Sequence, residues 1–340
     1  MLSQQLSTYS SRVRLLLGIV AASALVGSPQ SAFHAQDRPL LRFGMVTDVH
    51  YADIDDVGNR HYREAADRLA EFVRVMNQAQ VDFVIELGDF KDQDRTPDET
   101  RTLGYLRHIE SVFAVFDGPR FHVLGNHDLD SITKEQFRFV APNVTWMVRG
   151  DKRVLGPSWR ITTPTRTYDF PALSWTVRRR IRIVMLDANY KSDGGGYSRG
   201  NFEWADTNVG WEQIQRLELA LAQSDMPAIV FVHQQLDGEG PYYVKDAADV
   251  RKVLEESGKV LAVFQGHRHE GAFSVINGIP YYTLRALVEG PGNAFALVTV
   301  DPDSSVWVTG YGRAESRGFR STALDAYAVA ARRPRSAGAG

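Results

Sequence analysis

The stretch Phe121-His122-Val123-Leu124-Gly125-Asn126-His127-Asp128 joins a short apolar run to a cluster of side chains able to ligate metal. The same pattern recurs on both sides of it. Phe43–Thr47 runs into Asp48-Val49-His50, and Val81–Leu87 runs into Gly88-Asp89. Ala228–Val232 ends at His233, and Val260–Gln265 ends at Gly266-His267-Arg268-His269. Short apolar runs closed by turn residues read as buried strands. Strands that all end in polar clusters describe a site at the carboxyl edge of a sheet, where open α/β folds place their ligands. Asp, Asn and His form the mixed nitrogen and oxygen donor set that suits Mn, Fe or Zn.

Helical patterns separate these strands. Tyr62–Gln80 places Leu69, Phe72, Val73 and Met76 at helical spacing, and Pro97–Phe116 reads as a second helix. Trp211–Gln223 and Val244–Glu256 follow the same logic, and Ile181–Leu186 is a further strand. A β-α-β-α-β order implies a largely parallel sheet with right-handed crossovers. The stretch Lys134–Arg179 reads as an irregular insertion holding a hairpin or two. After residue 271 the pattern changes. Ala272–Ile276, Tyr281–Leu284, Ala294–Val300 and Ser305–Tyr311 read as antiparallel strands with tight turns such as Asn277-Gly278. The expected organisation is a leader over 1–36, one catalytic domain over 37–315, and a C-terminal extension over 316–340 with a disordered end.

Composition narrows the function. With 340 residues, 44% of them hydrophobic, the chain can build a sizeable core. A formal net charge of -2 offers no track for a nucleic-acid backbone. Cysteine is absent, so any metal is held by nitrogen and oxygen. Arg12 and Arg14, the apolar run Leu15–Val26 and the small polar residues after it have the order of an export signal. That run falls short of the ~20 residues that span a bilayer. The expected location is outside the cytoplasm, periplasmic or secreted, with no membrane attachment after leader removal.

The order Asp-x-His, Gly-Asp, Gly-Asn-His-Asp, His, Gly-His-x-His over Leu41 to Tyr311 resembles the calcineurin-like metallophosphoesterase superfamily. The resemblance implies an α/β fold, a four-layer α/β/β/α sandwich of two mixed sheets. It also implies two divalent ions, Mn, Fe or Zn. A dinuclear centre needs a shared ligand, and the Asp89 carboxylate has the two oxygens for it. By resemblance, Asp48, His50 and His269 complete one metal site, and Asn126, His233 and His267 the other. His127 is expected to protonate the leaving group, with Asp128 placed to orient it. The implied reaction is in-line attack on phosphorus by a metal-bridging hydroxide, without a covalent enzyme intermediate.

Tyr51-Ala52-Asp53-Ile54-Asp55-Asp56 and Arg60-His61-Tyr62-Arg63 resemble the manganese-dependent ADP-ribose/CDP-alcohol diphosphatase branch. That branch often carries Gln where this chain has His50. The resemblance favours small nucleotide-type pyrophosphates or phosphodiesters over long polyanions. Tyr51, Arg60, Arg95, Tyr197, Arg199 and Arg268 are the candidate substrate contacts, and Lys91 is a further source of charge. Two other readings remain open: a broad-specificity extracytoplasmic phosphomonoesterase and a non-catalytic metal-binding scaffold. His122 alternates along a buried strand and reads as structural; Glu86 reads as exposed or paired. Gly194-Gly195-Gly196 has no Lys-Ser or Lys-Thr after it and is no Walker-type phosphate loop. The sequence leaves the oligomeric state open. If the leader is read correctly, N-terminal sequencing of the exported protein begins between residues 27 and 37; a cytoplasmic product beginning at Met1 contradicts it.

Overall fold

The computed structural model describes residues 39–142, 181–223 and 225–324, and the backbone of three strands between 159 and 177. The expected leader and residues 325–340 lie outside the described residues. In chain order the strands and helices are β1 (Leu41–Val46), α1 (Ala65–Ala79), β2 (Phe83–Glu86), α2 (Glu99–Phe113), β3 (Arg120–His122) and α3 (Lys134–Val140). Then come β4 (Trp159–Thr162), β5 (Thr167–Phe170), β6 (Ser174–Val177), β7 (Ile181–Met185), α4 (Trp211–Ala222), β8 (Ala228–Phe231), α5 (Ala247–Ser257) and β9 (Val260–Gln265). The last five are β10 (Ala272–Ile276), β11 (Ile279–Thr283), β12 (Ala294–Val300), β13 (Ser305–Gly312) and β14 (Arg317–Arg320).

Two six-stranded mixed sheets result, in the orders β14-β13-β12-β1-β2-β3 and β10-β11-β9-β8-β7-β6. In the first, β1, β2 and β3 run parallel; in the second, β7, β8 and β9 do. Successive side chains of a strand point to opposite faces, and this alternation builds the layers. On β1, Leu41, Phe43 and Met45 point inward, where they meet Ile183, Met185, Ile229, Phe231 and Phe264 of the other sheet. The outward Val46 and Val84 pack under α1, α2 and α3. The outward Val184, Val230 and Val263 pack under α4 and α5. Gly44 lets α1 approach closely, since a Cβ there would lie 2.5 Å from the Met76 sulfur. The layers are helix, sheet, sheet, helix, the expected four-layer sandwich.

Two segments differ from the sequence reading. The insertion begins with a true helix, α3, closed by a capping box between Thr133 and Gln136 and pinned by the fully buried Phe137. At 7 residues it is too short to show a clear period. The boundary at 315 is also too early. Residues Arg317–Arg320 form β14, which pairs antiparallel with β13. Its alternating exposure marks an edge strand, and such strands carry little hydrophobic signal.

Phe43 joins the two sheets. It stacks on Phe83 at 5.1 Å and meets Phe231 and Phe264 edge-on at 5.4 and 5.6 Å. Phe43→Ala is expected to cost about 3–5 kcal/mol of stability, as large aromatic truncations in cores do; denaturant titration measures it, and a loss below ~1 kcal/mol would mean that the sheets are not joined there.

Candidate metal centre

The strand ends converge where the parallel strands of both sheets stop. β1 delivers Asp48 and His50, β2 delivers Asp89, and β3 delivers Asn126 and His127, while β8 delivers His233 and β9 delivers His267 and His269. The loops are tied to one another by backbone hydrogen bonds: Asp48 N–H to Gly88 O at 3.0 Å, His50 N–H to Asp89 O at 2.8 Å, and Gly266 N–H to His233 O at 3.0 Å. Asp48, His50, Asp89 and His267 all have positive φ, between 46° and 65°. Left-handed backbone is uncommon for non-glycine residues and persists where the surrounding structure holds it. Glycines permit the crowding. Gly88 has φ 105°, and a Cβ on Gly125 would lie 2.2 Å from the Asp89 nitrogen.

Among the described residues, three groups of side chains could each hold an ion: Asp48, His50 and His269; His50, Asp89 and His127; Asp89, His233 and His267. Asp89 Oδ2 stands 3.5 Å from His50 Nε2 and 3.2 Å from His233 Nε2, between the two halves. Asp48 Oδ1 lies 3.2 Å from His269 Nε2. Asn126 sits between Gly125 and His127 and is buried. Asp48 Oδ1, His50 Nε2, Asn126 Oδ1 and His233 Nε2 are all buried without a hydrogen-bond partner. Buried polar atoms are normally satisfied, so this donor set fits divalent cations.

The remote ring nitrogens are fixed from outside. His50 Nδ1 lies 3.0 Å from Asp92 Oδ2, and His269 Nδ1 lies 2.6 Å from Glu289 Oε1. His233 Nδ1 faces Leu87 O at 2.8 Å. Such partners set the tautomer and turn Nε2 toward a metal. Burial pushes the Asp89 carboxyl up, but the charges of His233, His127 and His50 outweigh it and hold the group well below the usual carboxylate range. At Asp48 burial likewise raises the pKa, and His269, His50 and His233 win. Burial, with the His233 charge beside it, brings His267 down to about 4 and favours its neutral, ligating form.

Asp128 does not orient His127. Its carboxylate accepts from the N–H groups of Asp89, Phe90 and Gly125 at 3.0, 2.9 and 2.8 Å. It therefore knots the loop after β2 to the loop after β3. The carboxylate on His127 is Asp130, with Oδ2 at 2.8 Å from Nδ1. Burial lowers the His127 pKa, but Asp89, Asp130 and Asp92 raise it to about 9 overall.

The candidate substrate contacts divide. Arg60 is half-buried at the rim, 3.9 Å from Glu289. Arg268 is exposed beside His267 and pairs with Glu270. Tyr197 is 2% exposed and its hydroxyl donates to Asp206 O, so it is a core residue and offers no surface to a ligand. Tyr51 stacks on His108 at 4.8 Å and braces α2. Arg199 pairs with Glu99, and Arg95 is exposed near Asp55. Lys91 is fully buried and donates to the His127 carbonyl, which removes it from the cations open to phosphate. His122 is structural, as expected. It lies between Glu86 and Glu110, at 3.4 and 3.1 Å. Glu86 is fully buried rather than exposed, accepts from Gly88 N–H at 2.6 Å, and is raised by burial to about 8.

Sequence reading missed Asp92, Asp130, Glu289 and Trp204. Asp92 and Asp130 were accessible in principle, since each lies three or four residues beyond a site residue in a motif loop. Glu289 is brought in by the segment between β11 and β12, with no local signal.

The chain belongs to the calcineurin-like phosphoesterase family, whose model matches residues 41–271. It is a metal-dependent phosphoester hydrolase. The manganese-dependent ADP-ribose/CDP-alcohol diphosphatase of Oryza sativa subsp. japonica is 28% identical over 81% of this chain and 93% of that protein. The Arabidopsis thaliana protein of the same name is 26% identical over 84% of this chain and 99% of that one. Among solved structures, a dimetal phosphatase from Danio rerio matches with TM-score 0.65 and 22% identity, over 84% of this chain and 100% of that one.

Asp89→Asn removes charge from the shared position. Elemental analysis is expected to find both ions depleted relative to wild type; a variant that keeps two tightly bound ions would show that Asp89 is not shared.

Proposed function

We propose that this protein hydrolyses small nucleotide-type pyrophosphates, or closely related phosphodiesters, with two divalent ions, manganese in the first instance. The observation that carries the reading is the position of Asp89 Oδ2 between His50 and His233. Asp48, His50, Asp89 and His269 would hold one ion, and Asp89, Asn126, His233 and His267 the other. When bound, such a pair supplies charge against the phosphoryl oxygens and an activated water. The chain's own groups do the rest. The turned-out Nδ1 atoms of His50, His233 and His269 keep their Nε2 atoms on the centre. His127, whose ring centroid lies 5.0 Å from that of His50, faces the leaving side and hands its proton to the departing oxygen. Arg60 at the rim contributes a cation for the second phosphate of a pyrophosphate. Water attacks in line, and no side chain becomes covalently attached.

The substrate class rests on the two plant relatives, matched over almost their whole length and named for ADP-ribose and CDP-alcohols. Export follows from the order of the leader alone. The test is a ranking of kcat/KM with Mn²⁺ across ADP-ribose, CDP-choline, a cyclic nucleotide, a sugar phosphate and an aryl phosphate. The pyrophosphates are expected to lead. A lead of more than about tenfold for the simple monoesters, ~1.4 kcal/mol of transition-state binding, would leave the phosphomonoesterase reading in its place.

A further inference from the structure

The loop between β7 and α4, residues 186–210, reaches across to the turn that carries His127. It makes three contacts there. Gly200 N–H donates to the Asp130 carbonyl at 2.7 Å. The Trp204 indole Nε1–H donates to Asp130 Oδ1 at 2.8 Å. The Trp204 ring also lies against the His127 ring, with centroids 4.4 Å apart and planes inclined by 52°. The two oxygens of Asp130 thus serve different donors, the indole on Oδ1 and the imidazole on Oδ2. Asp130 itself is 1% exposed. A carboxylate gripped at both oxygens cannot rotate without breaking both bonds. Phe202, 6.4 Å from Trp204 and 46% exposed, flanks the indole on the solvent side.

We propose that Trp204 is a positioning residue for the proton donor: its indole N–H locks Asp130, and Asp130 then holds His127 with Nδ1 outward and Nε2 toward the leaving group. Removing the N–H frees one carboxylate oxygen. Asp130 can then swing, and the imidazole loses its fixed direction while the metal ligands stay in place. The inference rests on the reading of His127 as the leaving-group proton donor. It adds that proton delivery depends on a residue from a different sheet and a different loop.

The experiment compares Trp204→Phe with wild type in the full chain, with Mn²⁺, on two substrates: the 4-nitrophenyl and the phenyl ester of one nucleoside 5′-monophosphate. Nitrophenolate leaves with little help, whereas phenolate needs the proton. Trp204→Phe is expected to lower kcat on the phenyl ester by about tenfold, a fraction of a full acid–base contribution, and on the nitrophenyl ester by less than about threefold. KM and manganese affinity should be close to wild type. Asp130→Asn is expected to show the same split, and the double variant no further loss, because both act through one contact. Asp130→Asn also carries the test if Trp204→Phe does not fold. His127→Ala is measured in parallel. An equal loss on both esters in Trp204→Phe and Asp130→Asn, with the split intact in His127→Ala, overturns the role of Trp204 alone. No split in His127→Ala overturns the proton-donor reading and the inference with it.

Discussion

A single carboxylate oxygen, Asp89 Oδ2, must stand inside the protein between imidazoles from the two sheets, His50 of the first and His233 of the second. Much of the structure follows from that. Putting Asp48 and Asp89 out of contact with water is costly unless opposite charge faces them. The neighbouring histidines hold both carboxyls low against their burial, and where those imidazoles are neutral ligands two divalent cations would supply the charge. The same crowding calls for a rigid base. Two buried sheets provide it, because their parallel strands all end at one edge and cannot shift separately.

Ligand atoms alone would not hold such a geometry. An imidazole turns about two bonds, so its far nitrogen also needs a partner. Asp92, Glu289 and the Leu87 carbonyl take that role for three histidines, and Asp130 takes it for His127. Asp128 works on the backbone instead, gathering N–H groups of the loops after β2 and β3. These bonds help offset the left-handed backbone at Asp48, His50, Asp89 and His267. Behind them, the buried Glu86 fastens Gly88 to the His122 side of the first sheet.

The chain's own motifs marked the seven ligand candidates and His127, and the structure brings them to one place. They were legible because each is local: an apolar run fixes a strand, the strand fixes where the chain emerges, and the polar cluster follows within a few residues. The alternation of apolar strands with amphipathic helices made an α/β fold with parallel strands legible for the same reason, whereas the four layers were what the family resemblance implied. The short helix α3 and the edge strand β14 gave too weak a pattern.

What the sequence could not decide is the direction of each side chain. Tyr197 and Lys91 look like surface ligands in a loop, yet both are buried, one under Asp206 and the other against the His127 carbonyl. Asp128 looks like the partner of its neighbour His127, yet it faces the Asp89 loop while Asp130 takes the imidazole. Trp204 lies 77 residues from His127 in sequence and only the folded chain puts their rings 4.4 Å apart. The sequence by itself determined which chemical groups arrive at the strand ends, because that depends on local pattern. The tertiary structure decided which of them face one another, because a side chain's direction is set by packing and hydrogen bonds between segments far apart in the chain.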